Sequence, residues 1–148
     1  MIDSITRKAF LRYGWIIEFP LKGAHPTHKN LFRVVKSETN PVGWRIAYLV
    51  IRDKKINKLE QHIDTFESFE PVRGRSLFFV ADKKESGAIR CFYLDKPVIL
   101  KKGIWHGIIT LGQEAEIKIT ENARVKSIYW KLGLLLGATR RISSGKDK

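Results

Sequence analysis

The chain has 148 residues, 43% of them hydrophobic and 29% charged, which suits one globular domain and excludes a disordered chain. The net charge of +13 is spread evenly, with 13 basic residues in 1–74 and 15 in 75–148. The charge therefore favours anionic partners, but it does not favour nucleic acid, because a nucleic-acid binder usually concentrates its basic residues on one surface. A single cysteine, Cys91, and no apolar run of membrane-spanning length predict a cytoplasmic protein without membrane contact.

The predicted elements begin with a short helix over residues 4–12, with Ser4 as its N-cap. A strand at 15–19 follows, then a loop at 22–30 with the solvated His25 and His28, a strand at 32–36 and a turn at 40–43. Further strand patterns, separated by short charged turns, lie at 44–52, 56–62, 68–71, 76–81, 89–94, 98–101, 107–111, 116–120 and 125–131. Short strands in succession without helices between them are typical of a β-sandwich or β-barrel.

We interpret the chain as a single domain over 1–148, because no linker or change of composition divides it. Residues 132–148 form a C-terminal extension that ends in a basic tail from Arg140. The apolar segment 132–136 suits an edge strand, a short helix or a contact with a second subunit. A homodimer is the expected assembly.

Two motifs narrow the fold. His62, Glu67 and Gly74 are separated by four and six residues, which matches the second half of the first cupin motif. Gly103 and His106, which are separated by two residues, match part of the second cupin motif. Together with the strand pattern, they predict an all-β protein: a cupin-type double-stranded β-helix, or jelly-roll barrel, with a short N-terminal helix.

The same motifs predict a polar pocket. Alternate residues of a barrel strand point inward, so Glu60 and His62 share a face, and a distant strand can bring His106 beside them. Imidazoles and carboxylates suit a first-row divalent metal ion. The candidate metal ligands are Glu60, His62, Glu67 and His106. The same side chains can perform acid–base chemistry without a metal, so the sequence leaves open whether the cofactor is a divalent ion or none.

Several segments resemble one enzyme family. Segment 10–18, FLRYGWIIE, resembles the opening Phe-x-x-Tyr-Gly-x-Val-Ile-Glu of that family. Segments 59–62, LEQH, and 69–74, FEPVRG, are similar to its Leu-Glu-Arg-His-Pro and Phe-x-Pro-x-x-Gly. Segment 98–106, VILKKGIWH, resembles its Val-x-Tyr-x-x-x-x-Trp-His. The family is ureidoglycolate lyase, formerly called ureidoglycolate hydrolase, a cupin-fold family of purine and allantoin catabolism.

The resemblance implies a lyase that cleaves ureidoglycolate, or a similar small anionic hydroxy acid, to glyoxylate and urea. It implies catalytic roles for His62, His106 and Glu60. The implied substrate-binding residues are Arg33, Arg52, Lys101, Lys102 and Trp105. The alternative is a non-catalytic barrel that binds or senses a ligand, because the same motifs can build a pocket without chemistry.

Overall fold

The computed structural model describes residues 1–19, 30–138 and the backbone of 142–143, and nearly all its regular structure is β-strand. A short helix, α1 (Arg7–Phe10), lies near the start, and a single 3₁₀ turn covers Ser86–Ala88. The strands, in chain order, are β1 (Ile2–Asp3), β2 (Gly14–Ile16), β3 (Arg45–Ile51), β4 (Lys55–Gln61), β5 (Glu67–Arg73), β6 (Ser76–Ala81), β7 (Arg90–Tyr93), β8 (Val98–Leu100), β9 (Trp105–Thr110), β10 (Ala115–Glu121), β11 (Ile128–Gly137) and β12 (Ile142–Ser143).

The strand pairing identifies the fold. Strand β3 pairs with β10, β4 with β9, β5 with β8 and β6 with β7, all antiparallel, so that four pairs are nested one inside another. This nesting is the wiring of a jelly roll. Two sheets result, with the orders β1-β7-β6-β9-β4-β11-β12 and β2-β8-β5-β10-β3. The fold is a cupin-type β-barrel, and the predicted fold class is confirmed.

The core between the two sheets follows from residue alternation. Along β10 the odd-numbered residues are buried and the even-numbered ones are partly exposed, which is the period of a strand with one buried face. Helix α1 contributes Phe10, which is fully buried against Phe78 and Phe92. Burial of aromatic side chains of this size dominates the stability of such a core.

A second apolar layer covers the outer face of the seven-stranded sheet. Trp105 packs edge-to-face on Trp130 at 5.7 Å, and Leu136 lies in the same cluster. Segment 132–136, whose structure the sequence left open, is therefore part of β11, which pairs with β4. Cys91 packs against this layer, and burial raises the pKa of its thiol to about 11, as suits a structural cysteine.

The local predictions differ from the structure most clearly at three places. The helix is shorter than residues 4–12, because the hydroxyl of Thr6 caps it by accepting a hydrogen bond from the Ala9 amide. Residues 32–36 do not form a strand. Phe32 is 90% exposed, and among the described residues no strand pairs with this segment. Strand β1, which pairs in parallel with β7, was not predicted.

Some predictions fall outside the described residues. These are the loop at 22–29 with His25 and His28, and most of the basic tail. Within the described part of the chain, no helix has the length and apolar character needed to cross a bilayer.

Candidate functional site

Strands from both sheets bring the predicted polar residues to one end of the barrel. Glu60 on β4 is the cross-strand partner of His106 on β9, and His62 follows β4 directly. Glu67 opens β5 and lies opposite Glu121, the last residue of β10. The nested pairing therefore gathers residues that are up to sixty-one positions apart in the sequence.

Four side chains are linked by close contacts between their imidazoles and carboxylates. The rings of His62 and His106 have centroids 5.1 Å apart. Oε2 of Glu67 lies 3.4 Å from Nε2 of His62 and 3.1 Å from Nε2 of His106. Oε1 of Glu60 lies 3.9 Å and 3.6 Å from the same two nitrogens. We call Glu60, His62, Glu67 and His106 the His–Glu cluster.

Backbone carbonyls orient both imidazoles. Nδ1 of His106 lies 2.9 Å from the carbonyl oxygen of Ile104, and Nδ1 of His62 lies 3.1 Å from that of Lys126. A carbonyl oxygen can only accept, so each Nδ1 carries a proton and donates it. The Nε2 atoms consequently face the carboxylates, which is the orientation required of a metal ligand or a proton-exchanging group.

Two buried atoms of the cluster lack a hydrogen-bond partner. Oε2 of Glu67 and Nε2 of His106 are only 3.1 Å apart, yet within the described residues neither meets the geometry of a hydrogen bond. Buried polar atoms left in this state cost free energy. The cluster can therefore gain stability by binding an ion or a polar substrate group.

Burial and charge act in opposite directions on His106. Burial on its own lowers the pKa of His106, but the contacts with Glu60 and Glu67 outweigh it and raise that pKa to about 10. The contact with His106 lowers the pKa of Glu60, against the effect of its partial burial. Without a bound metal the site therefore holds an imidazolium beside a carboxylate at neutral pH.

Glu121 and Arg45 belong to the site but were not predicted. Glu121 is buried, and its Oε1 accepts hydrogen bonds from Nη2 and Nε of Arg45 at 2.7 and 3.0 Å. Burial raises the pKa of Glu121, Arg45 opposes this, and nearby Glu67 adds to the rise. The alternation on β10 offered a signal, because Ala115, Ile117 and Ile119 place Glu121 on the inward face.

The cluster and the neighbouring Glu121 together offer two sets of metal donors. Glu60, His62 and His106 have ligand atoms within 4.8 Å of one another, and so do His62, Glu67 and Glu121. Two imidazoles with one carboxylate suit a first-row divalent ion, which can bind once Nε2 of His106 has lost its proton. The unpartnered Nε2 of His106 fits this interpretation.

Lys101 and Lys102 lie in the turn between β8 and β9, next to Gly103. The Gly103 amide donates a hydrogen bond to the His62 carbonyl at 2.7 Å and thereby ties their turn to the end of β4. Nζ of Lys102 lies 2.8 Å from Oε2 of Glu38, and Nζ of Lys101 is 5.5 Å from the Trp15 ring.

The structure does not bring the other predicted substrate-binding residues to the cluster. Trp105 precedes His106 on β9 and so points to the opposite face, where it packs on Trp130. Arg52 follows the last residue of β3, at the end of the strand opposite Arg45, and forms an ion pair with Glu114. Arg33 is exposed and donates to the Glu18 carbonyl at 2.8 Å.

A pocket of about 440 Å³ reaches the cluster. Glu67 and Glu121 are among its lining residues, together with side chains of segment 36–44 and the outer face of the five-stranded sheet. This volume suits a small molecule.

No family model matches the sequence, and no curated protein matches it. Among solved structures, oxalate decarboxylase OxdC of Bacillus subtilis is similar, with a TM-score of 0.46 and 15% identity over 62% of this chain and 24% of that chain. One structure of that enzyme is described by its Mn(II) centres. The chain thus spans about a quarter of the length of the decarboxylase.

Two other proteins are similar at the same level. A cupin 2 domain-containing protein from Halorhodospira halophila has a TM-score of 0.43 and 13% identity, over 74% of this chain and 63% of that chain. Recombinant pro-11S globulin of pumpkin has a TM-score of 0.42 and 10% identity, over 60% and 28%. The fold assignment rests on the strand pairing described above.

Proposed function

We propose that this chain is a small-molecule lyase whose acid–base groups are the His–Glu cluster. The observation that carries the proposal is that Nε2 of His106 and Oε2 of Glu67 are both buried and lie 3.1 Å apart. Neither atom has a hydrogen-bond partner among the described residues. Such buried pairs with a shifted imidazole pKa concentrate at catalytic sites.

The proposed substrate is ureidoglycolate or a similar small anionic hydroxy acid, as the family resemblance implies. Glu60, a carboxylate with a lowered pKa and a side chain 38% exposed, takes the proton of the substrate hydroxyl. The oxygen lone pair forms the carbonyl of glyoxylate, and the carbon–nitrogen bond breaks. His106 donates its Nε2 proton to the leaving urea nitrogen, and proton transfer from Glu60, 3.6 Å away, restores both groups.

The cluster also fits a divalent metal ion, with Glu60, His62 and His106 as the residues that would hold it. A bound ion would act as a Lewis acid that polarises a substrate oxygen. Because His106 Nε2 cannot carry a proton and a metal together, the metal-bound protein must use another proton donor.

The activity is tested by mixing the protein with ureidoglycolate and measuring glyoxylate and urea. We expect both products in equal amounts, and a fall in kcat of at least about 100-fold in Glu60→Gln and in His106→Gln. Glu85→Gln, at an exposed site paired with Lys83, is the matched control and should keep full activity. A folded wild-type protein that forms neither product would refute the lyase.

A second candidate function, a non-catalytic ligand-binding barrel, is favoured by one specific observation. Both imidazole rings are more than nine-tenths buried, and the pocket is lined by Glu67 and Glu121 without them. This alternative predicts saturable binding of the small acid with no product formed.

A further inference from the structure

Strand β3 is the longest strand at an edge of either sheet. The sheets end in β1, β12, β2 and β3, and these strands have two, two, three and seven residues. Within the described residues, β3 pairs with β10 alone. Its other edge therefore presents backbone N–H and C=O groups to which a further strand can hydrogen-bond along the whole length of β3.

The sequence of β3 lacks the features that usually protect such an edge. Proline, lysine and inward-pointing charges on an edge strand oppose the addition of another strand. Residues 46–51, IAYLVI, contain none of these. They combine high β-propensity with the absence of charge, which is the composition of a segment that associates when it is left uncovered.

The side chains of β3 form an inward and an outward row. The inward row packs against the core and consists of Ala47, Leu49 and Ile51. The outward row is apolar and exposed, and consists of Trp44, directly before the strand, followed by Ile46, Tyr48 and Val50. Exposed apolar side chains that are contiguous, unlike isolated ones, mark an interaction surface.

The apolar row is confined to the edge of the five-stranded sheet. On the neighbouring strand β10, Lys118 lies opposite Tyr48, and Glu116 lies opposite Val50. Both charged side chains form ion pairs with residues of β5, each at 3.3 Å. Because this charged row is already neutralised within the chain, the apolar row favours a partner that lies along the edge of β3 over one that covers the face of the sheet.

Strand β3 is complementary to a second copy of itself. In an antiparallel pair with its two-fold axis at Tyr48, Ile46 faces the partner's Val50, and Tyr48 faces the partner's Tyr48. This register pairs all seven residues of the strand and keeps the outward rows of both copies on one face. No two charges of like sign face each other, and Arg52 faces the partner's Trp44, which permits a cation–π contact.

We propose that this chain forms a two-fold dimer through β3, in which the five-stranded sheets of two protomers join into one continuous sheet. A single contact then covers both exposed edges and both apolar rows. The structure places segment 132–136 in β11, so this contact differs from the one considered from the sequence. The inference does not depend on the proposed function, although Arg45, which binds Glu121 beside the His–Glu cluster, is the first residue of the paired strand.

Sedimentation equilibrium of the full chain tests the contact. We expect twice the mass of one chain, which is 17.1 kDa, at micromolar concentrations. Tyr48→Lys places two ammonium groups opposite each other at the two-fold axis and should raise the Kd of the dimer at least about 100-fold. Val72→Lys is the matched control and should keep the dimer, because Val72 is equally exposed, at 55% against 57% for Tyr48, but lies on β5, which β10 separates from the edge.

Disulfide cross-linking tests the register. Tyr48→Cys should form a linked dimer under mild oxidation, because facing residues of an antiparallel pair have Cα atoms about 4.5–5.5 Å apart. Ile46→Cys should not link to itself, since the register separates its two copies by roughly 14 Å, but it should link to Val50→Cys when the two variants are mixed. The wild type controls for Cys91, which burial keeps protonated near neutral pH by raising its pKa to about 11.

Each contrary result has a definite meaning. A wild-type chain that stays monomeric at its highest soluble concentration overturns the dimer and assigns the edge of β3 to a different partner or to another part of the chain. Dissociation by Val72→Lys as strong as that by Tyr48→Lys overturns the edge contact in favour of packing through the face of the sheet. Circular dichroism verifies that each variant is folded. If Tyr48→Lys does not fold, the absence of a cross-link in folded Tyr48→Cys overturns the proposal.

Discussion

His106 can occupy two states that exclude each other. Its Nδ1 is committed to the Ile104 carbonyl, so only Nε2 can change partner. Nε2 either carries a proton between Glu60 and Glu67 or donates its lone pair to a metal ion. Raising the pH removes the proton and favours the ion, while lowering the pH does the reverse.

The protonated state predicts how the stability of the metal-free protein depends on pH. The pKa of His106 is about 10 in the folded protein, above its ordinary value of 6.5, so folding favours the protonated imidazole. Its contribution to the free energy of unfolding is therefore full below about pH 6.5 and is lost as the pH rises towards 10. Urea unfolding with a chelator at pH 6, 8 and 10 should show this loss in the wild type, and a flatter profile in His106→Gln. Parallel profiles for the two proteins would contradict the assignment.

Strand β5 explains why the His62–Glu67–Gly74 motif has its particular spacing. The strand begins at Glu67, beside the cluster, and runs for seven residues to Arg73 at the opposite end of the barrel. Gly74 then turns the chain into β6 with a φ of +76°, in the left-handed region that favours glycine. A Cβ at this position would lie 2.5 Å from the Glu114 carbonyl oxygen. The spacing from Glu67 to Gly74 therefore equals the length of β5, which connects the site to the turn at Gly74.

This turn allows a paired test at the scale of the element. Gly74→Ala should lower the free energy of unfolding by about 1–3 kcal/mol, because alanine is strained at this φ and its methyl group meets a carbonyl oxygen. Gly87→Ala is the matched control: no heavy atom lies within 4 Å of the added methyl group, so we expect a change below about 0.5 kcal/mol. Urea unfolding measures both. Equal values for the two variants would argue against the strained turn.

The sequence predicts the parts of this site that lie in continuous motifs. Residue alternation and motif spacing placed Glu60, His62 and His106 together, and the structure brings them into contact. The sequence does not predict the roles of Arg45 and Glu121, because these residues meet only when β3 pairs with β10. The two residues are seventy-six positions apart in the chain. No local pattern encodes such a pairing, although the alternation on β10 does indicate that Glu121 faces inward.

Other errors had a different physical origin. The alternation on β9 implies that Trp105 and His106 point to opposite faces, but it does not reveal that the outer face carries a second apolar layer. Segment 32–36 has the composition of a strand, yet a strand needs a neighbour to satisfy its backbone groups. The sequence of a segment cannot show whether that neighbour exists.

At the scale of the whole molecule, the candidate site joins the two sheets. Glu60 and His106 belong to the seven-stranded sheet, while Glu67 and Glu121 belong to the five-stranded sheet. The chain carries a net charge of +13, but this junction concentrates acidic groups. A cation bound there would connect the sheets and stabilise only the closed barrel.

This connection predicts metal-dependent thermal stability. A first-row divalent ion at one hundred times its Kd should stabilise the fold by about 2.7 kcal/mol, which for a domain of this size raises the Tm by roughly 5–10 °C. Differential scanning calorimetry with and without the ion measures the shift. Glu60→Gln removes one donor at a partly exposed position and should reduce the shift, whereas Glu85→Gln should retain it. A wild-type Tm unaffected by first-row divalent ions would rule out the metal site.

The nested wiring also has a kinetic consequence. Joining β3 to β10 encloses every strand that lies between them in the chain, so this outermost pair completes the barrel. Arg45 and Glu121 are the partners at one end of that pair, next to the acid–base groups. A chain in which only the inner strand pairs have formed contains all the site residues, but they are not yet assembled. The onset of ligand binding during refolding should therefore coincide with the pairing of β3 with β10.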